Sequence, residues 1–164
     1  MDLKFKTMKK LFITAATALL FSATAFATTV STYTGEENVT YTALNHFAAD
    51  FKGAKNPAWV VTSNCQKVSF TLEGAHLTAF YSLGGEFMGT TQDLTITAIP
   101  AEAKKTIATK YAAYTAGQVI KYDNFDSDTY TSTVVYFVDL KKTGSEVLVK
   151  VTPEGDVSYF KTIK

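Results

Sequence analysis

The feature that most restricts the fold lies near the C-terminus, where Gly144 to Thr162 reads GSEVLVKVTPEGDVSYFKT. Val147, Val149 and Val151 point to one side of an extended chain, and Leu148, Lys150 and Thr152 to the other. Pro153-Glu154-Gly155-Asp156 turns the chain, and Val157 to Phe160 runs back. Period-two alternation broken by a Pro/Gly turn specifies an antiparallel hairpin with one buried face. Seventy positions earlier, Tyr81-Ser82-Leu83-Gly84-Gly85-Glu86-Phe87 aligns with Val151-Thr152-Pro153-Glu154-Gly155-Asp156-Val157, so that Gly85 falls on Gly155. The chain reads as one unit used twice.

The intervening residues extend that pattern. Tyr41, Leu44, Phe47, Ala48 and Phe51 recur at three- and four-residue steps, which predicts a helix from Tyr41 to Lys52 with Thr40 as N-cap and Gly53 closing it. Strands are expected over 58–63, 67–72, 75–82 and 86–91, with Asn64, Glu73-Gly74 and Gly84-Gly85 at the turns. A short extended link follows over 92–99. Pro100 then opens a second helix, at the first-turn position proline tolerates. Its stripe is Ala103, Ile107, Tyr111 and Tyr114, and Gly117 stops it. Phe47-Ala48-Ala49 aligns with Tyr111-Ala112-Ala113, sixty-four positions on. Strands at 118–122, 130–140, 146–152 and 157–162 complete the chain, with a polar loop at 123–129. One helix and one meander cannot cover the apolar face of their own sheet. Two such units side by side can, which predicts an α+β fold. Its two tandem helix-plus-antiparallel-meander repeats, about 40–99 and 100–164, form one continuous sheet with both helices on one face, in a single domain.

The N-terminus stands outside this fold. Lys4, Lys6, Lys9 and Lys10 precede an apolar run from Leu11 to Phe21 and an Ala25-Phe26-Ala27 cleavage site, so residues 1–27 read as a cleaved secretory signal. The run is too short and wrongly flanked for a spanning helix, and either Met1 or Met8 serves as the start. No cysteine sits at the cleavage site to carry a lipid. Residues 28–39, rich in Thr, Ser and Gly, form a flexible leader or an edge strand. Cleavage takes the lysines from 16 to 12 and the acids from 15 to 14, moving the formal charge from +1 to −2. There is no arginine. A mildly acidic chain without guanidinium groups has no footprint for nucleic acid, and nothing after the signal is apolar enough to span a membrane.

The residues suited to catalysis or metal binding do not fall into a known spacing. Cys65 is the single cysteine, which excludes an internal disulfide. It is a reactive thiol, an intermolecular bridge or a small residue opening a strand. His46 and His76 stand thirty positions apart, outside the H-x-x-x-H and H-x-H spacings a metal site uses. Asp123-Asn124-Phe125-Asp126-Ser127-Asp128 offers oxygen ligands at short spacing. Counted as an EF-hand loop, it puts Phe125 at position three, Asp128 where glycine belongs and Val134 where the bidentate glutamate belongs. A solvated hairpin loop is the better reading. No G-x-S-x-G elbow occurs, Glu36-Glu37 lies in the leader, and no helix follows Gly84-Gly85 to cradle a phosphate. No catalytic residue, cofactor or metal is expected.

Several spaced aromatics and turn glycines do carry a resemblance. Phe51-x-x-Ala54-x-Asn56-x-x-Trp59, then Val68-x-Phe70, Gly74, Ala79-Phe80-Tyr81 and Gly85-Glu86, resemble the secreted PepSY-like family, also called β-lactamase-inhibitor-protein-like. Pro100-Ala101-Glu102, Ile107-Ala108-x-Lys110-Tyr111 and Glu154-Gly155-Asp156 fit the same pattern, so the resemblance spans about residues 40–164. It implies a tandem helix-plus-sheet fold, export beyond the inner membrane and no known catalysis. Related domains bind and inhibit enzymes or occur in peptidase propeptides. The family has no shared active residue to carry over.

One strand breaks the alternation. Val134, Tyr136 and Val138 lie on one side of residues 130–140, and Val135 and Phe137 on the other, so both faces are apolar near the centre. Either something in the chain covers the second face or it is an exposed contact patch. On the second reading Phe137, Val135, Tyr122 and Trp59 form a binding surface on the helix-free side of the sheet. The partner is then an exported protein or peptide. Three function classes follow in order: a non-catalytic exported binding module, inhibiting or regulating an exported enzyme or peptidase; a structural or envelope-stress protein that docks a partner without inhibiting it; and an enzyme or small-ligand carrier.

Overall fold

The computed structural model describes residues 32–126, 129 and 131–164. The signal read at residues 1–27, Ser127 and Asp128 of the polar loop, and Tyr130 at the start of the strand expected over 130–140 lie outside the described residues. Nine strands form one antiparallel sheet in simple sequence order: β1 Tyr33–Thr34, β2 Lys55–Val61, β3 Gln66–Leu72, β4 Ala75–Tyr81, β5 Phe87–Leu94, β6 Thr115–Asp126, β7 Thr131–Lys142, β8 Ser145–Val151 and β9 Val157–Thr162. The stretch read as leader or edge strand supplies β1, which pairs with Val60 and Val61. Helix α1 spans Tyr41–Asp50 and α2 Ala101–Lys110. No described helix is long and apolar enough to cross a membrane.

Both helices pack on the same side. Cross-strand partners share a face, and the register carries Ala79 through Thr90, Asp123 and Val134 to the face of Tyr136 and Val138. On that face α1 buries Ala43 and Phe47 against Trp59, Val68, Phe70, Ala79 and Tyr81. Helix α2 buries Ala103 and Ile107 against Val119, Val138, Leu140, Val147, Val149 and Val151.

The helices differ from expectation in length and offset. The α1 stripe is centred on Ala43 and Phe47, and Tyr41 is exposed instead of packed. Helix α2 ends at Lys110, not near Gly117, with Tyr111 at its C-cap. A turn follows, in which the Tyr114 amide donates to Tyr111 O at 2.8 Å. Tyr111 and Tyr114 still reach the core, their rings 5.9 Å apart. An i, i+3 spacing of aromatics therefore continued past the end of the helix. The helices start sixty residues apart, which places Ile107, not Tyr111, in the position of Phe47. Asp123 to Asp126, read as loop, is the end of β6.

Each helix begins over a hairpin turn. The Ser82 amide donates to Glu86 O at 2.8 Å, the Gly85 amide to Ser82 O at 3.0 Å and the Glu86 amide to Ser82 Oγ at 3.1 Å. The Thr152, Gly155 and Asp156 amides make the same three bonds, at 3.0, 3.0 and 3.2 Å, with Thr152 Oγ1 as the side-chain acceptor. Gly85 has φ +94° and Gly155 φ +102°, a region that L side chains resist. A Cβ on Gly85 would come within 2.7 Å of Thr42 Cβ and 2.8 Å of Ala43 N. One on Gly155 would come within 3.1 Å of Glu102 Cβ. The turn glycines let the helix N-termini approach the sheet.

Candidate functional site

The helix-free face follows from the same register. Tyr122 pairs with Val135, Ile120 with Phe137, Phe137 with Lys150 and Asp139 with Leu148. Tyr122, Phe137 and Leu148 form a separate apolar cluster with Val135, Phe160 and Ile163 packed around them. Phe160 lies at the irregularity between β8 and β9, where Leu148 pairs with Lys161 but Val149 with Tyr159. Its ring meets Phe137 edge to face, centroids 5.0 Å apart. The Tyr122 hydroxyl donates to Asn124 Oδ1 at 3.0 Å, and burial pushes its pKa up to about 12. Tyr122 is a packed, neutral phenol, not an acid–base group.

Of the four expected surface residues, Trp59, Tyr122 and Phe137 are buried and only Val135 is partly exposed. Trp59 pairs with Val68 on the helix side, its ring edge-on to Phe47 at 5.5 Å, so it is not on the helix-free face. The register from Ala58 to Val61 is unbroken, so pairing with Val68 on β3 fixes the face of Trp59; the shift between Lys55 and Ala58 lies before it. Phe137 does lie on the helix-free face but is fully buried, not exposed. Leu148 and Phe160, from β8 and β9, pack beside it. What this face offers to a partner is the half-buried rim of Val135, Phe160 and Ile163 beside Lys150.

Polar groups frame this apolar patch. Across β3 to β6, Lys67, His76, Thr78, Asp93 and Gln118 line a hollow of about 210 Å³, where Gln118 Nε2 donates to Asp93 Oδ1 at 2.7 Å. On the other flank, the side chain of Asp139 is 3% exposed, and its Oδ2 accepts from Lys141 Nζ at 2.9 Å. Lys141 also reaches Glu146 at 3.3 Å. Asp139 Oδ1 is buried without a hydrogen-bond partner among the described residues. Burial raises its pKa, against the opposing pull of Lys141.

The nucleophile candidates are not assembled into a site. Cys65 is buried, which pushes its thiol pKa up and keeps it a thiol, with Thr62 Oγ1 3.7 Å from the sulfur. His76 pairs with Thr71, whereas Cys65 adjoins Gln66, which pairs with Tyr81. Six positions along the chain separate Cys65 from the level of His76, about 20 Å. His46 lies on the other side of the sheet, on α1. Among the described residues no group of three or more His, Cys, Asp or Glu side chains comes together to hold a metal ion.

A second concavity escaped the sequence analysis. On the helix side, between the C-terminal turn of α1 and strands β5 to β7, a groove of about 820 Å³ has Phe51, Phe87 and Phe125 in its wall and Asp50, Glu86 and Asp123 around it. His46 and Ser132 also line it, and the Ser132 hydroxyl donates to Asp123 Oδ1.

No family profile matches the chain, and neither does any curated protein. Solved structures do. A BLIP-like protein from Bacteroides fragilis is similar at TM-score 0.65 and 11% identity, over 76% of this chain and 86% of that one. A protein provisionally described as periplasmic, from Bacteroides eggerthii, is similar at TM-score 0.66 and 14% identity, over 76% and 89%. A DUF2874 family protein from Bacteroides uniformis is similar at TM-score 0.67 and 12% identity, over 76% and 90%. At these identities the likeness is one of fold: an α+β, BLIP-like arrangement of an antiparallel sheet with two helices.

Proposed function

We propose that this chain is an exported, non-catalytic binding module that inhibits or regulates an exported enzyme or peptidase through the helix-free face of its sheet. The observation that carries this reading is the apolar rim of Val135, Phe160 and Ile163 on a face that neither described helix packs against. Half-exposed apolar groups beside charged ones suit a protein contact better than a catalytic cleft. Buried Phe137, Tyr122 and Leu148 act as a rigid floor beneath the contact, not as the contact. Likeness in fold to a BLIP-like protein and to one provisionally described as periplasmic supports binding and export. The Lys-rich start and Ala25-Phe26-Ala27 support cleavage after Ala27, which intact-mass measurement on protein from the native host tests.

The same reading treats the chain as two copies of one PepSY-like unit. Support comes from the matching turns at 82–86 and 152–156, each bringing its glycine under a helix N-terminus.

Capture from the native envelope fraction tests the binding face. Val135→Asp and Phe160→Asp are expected to lose whatever the unsubstituted protein retains, with thermal midpoints confirming that both fold. Retention of the same species by both folded variants overturns the assignment of the face.

A further inference from the structure

We infer that the helix-side groove between α1 and strands β5 to β7 is a second docking site, independent of the helix-free face, for a polypeptide segment bearing lysine or arginine beside apolar side chains. The groove's walls and its charges ask for different halves of such a segment. Phe51, Phe87 and Phe125 make a continuous aromatic surface, with Phe87 5.9 Å from Phe51 and 5.7 Å from Phe125. At about 820 Å³ the groove is in the range of a ligand site and holds a few side chains, not one.

The charge is one-signed. Asp50, Glu86 and Asp123 line the groove, and among the described residues no lysine does. Asp50 is the last residue of α1, which carries no basic residue in its last turn, so the negative pole of the helix adds to the field. Neither Asp50 nor Glu86 makes an ion pair or a side-chain hydrogen bond among the described residues. Beside Phe87, at 5.7 Å between rings, the Tyr81 hydroxyl is buried without a hydrogen-bond partner among the described residues, and burial first, then the charge of Asp50, raises its pKa. That is an unmet polar group next to the same wall.

Geometry decides between occupants. The three carboxylates come from α1, from the β4–β5 turn and from β6, and they do not converge as metal ligands would. A single small cation meets one of them at a time. A segment with spaced cations and an apolar residue between them meets the carboxylates and the aromatic wall together.

The test is fluorescence anisotropy of a labelled pentapeptide of alternating lysine and phenylalanine, titrated with the protein. Its controls are an analogue with glutamate for lysine, and spermine as competitor. Saturable binding of the basic peptide alone is expected. The Asp50→Asn/Glu86→Gln double variant should bind it about tenfold more weakly, as expected when two exposed charge contacts are lost. Asp50→Asn alone should have an intermediate effect, which keeps the test valid if the double variant fails to fold. A Glu102→Gln/Glu154→Gln variant, with the same change in net charge at the far helix, should bind as the unsubstituted protein does. The inference is overturned if the basic peptide does not bind, or if the acidic analogue binds equally. Equal weakening by the two double variants overturns it as well. So does displacement by spermine at concentrations no higher than unlabelled peptide requires, which would make the ligand a small polyamine.

Discussion

The two halves of the sheet seat their helices with different side chains. Under α1 the packing is aromatic: Phe47 meets Phe70 at 5.0 Å and Trp59 at 5.5 Å, and Phe51 meets Phe70 at 4.8 Å. Under α2 it is aliphatic, with valines at 119, 138, 147, 149 and 151 around Ile107. The helix starts differ as well. Thr40 caps α1 by accepting from the Ala43 amide at 3.3 Å, and buried Gln66 ties that cap to the β4–β5 turn through bonds to Thr40 Oγ1 at 2.9 Å and Ser82 O at 2.8 Å. Helix α2 has Pro100 and no side-chain cap. Similar architecture is thus reached by a polar clamp over aromatics in one half and by a fixed proline φ over branched aliphatics in the other.

The largest effects should come from emptying the aromatic side. Phe70→Ala removes the ring that both Phe47 and Phe51 touch and is expected to cost about 3–5 kcal/mol in denaturant unfolding. Ile107→Val, at the centre of the other half, should cost about 0.5–1.5 kcal/mol. A loss at Phe70 no larger than that at Ile107 would mean that the ring is not packed against α1. Phe137→Ser is expected to be as costly as Phe70→Ala, because Phe137 is fully buried, and more costly than Tyr136→Ser at its half-buried neighbour. A milder Phe137 variant would place that ring at the surface.

The turns sharpen the comparison further. Alanine at either turn glycine meets a positive φ, worth about 1–2 kcal/mol. Gly85→Ala adds clashes with the Ala43 backbone at 2.8 Å, while Gly155→Ala meets nothing nearer than the Glu102 side chain at 3.1 Å. Thermal unfolding should therefore rank Gly85→Ala as the more damaging, and the reverse order would remove the close seat assigned to α1.

The smallest effect is electrostatic. Seventy residues before Asp139 stands Ser69, which shares a neutral hydrogen bond with Thr78 at 3.0 Å. Asp139 instead carries a buried carboxyl whose pKa is raised, first by burial, above its ordinary 3.8. The folded state then holds this proton more tightly than the unfolded chain. The group's contribution is fully present below about pH 3.8 and is lost as pH rises through the raised value. Unfolding measured from pH 3 to 7 should show Asp139→Asn gaining on the unsubstituted protein as pH rises. A parallel pair of curves would show that Asp139 is solvated.

Much of this contrast was legible in the residues. Gly85 and Gly155 marked both hairpin turns, though not the helices seated over them, because a tight turn leaves a local signal in Gly and its polar neighbours. The end of α2 did not, since Tyr111 and Tyr114 kept a helical spacing while folding back through a turn. Phe137 was misjudged because its covering comes from Leu148 on β8 and Phe160 on β9, eleven and twenty-three residues away, which no period along β7 records. Trp59 was placed on the wrong side because its face is fixed by pairing with Val68 on β3, which the residues of β2 alone do not record. The acidic groove was invisible for a similar reason: Asp50, Glu86 and Asp123 are thirty-six and thirty-seven residues apart and meet only through the sheet.

Which side of the sheet meets the partner is measured most directly with a photocrosslinking residue in place of Lys150, on the helix-free face, and separately in place of Lys105, on the exposed surface of α2. Both variants are irradiated in the native envelope fraction. The expected result is a discrete covalent adduct from position 150 and none of the same mass from position 105. The same adduct from position 105, with none from position 150, would put the contact on the helices and contradict a binding face on the open side of the sheet.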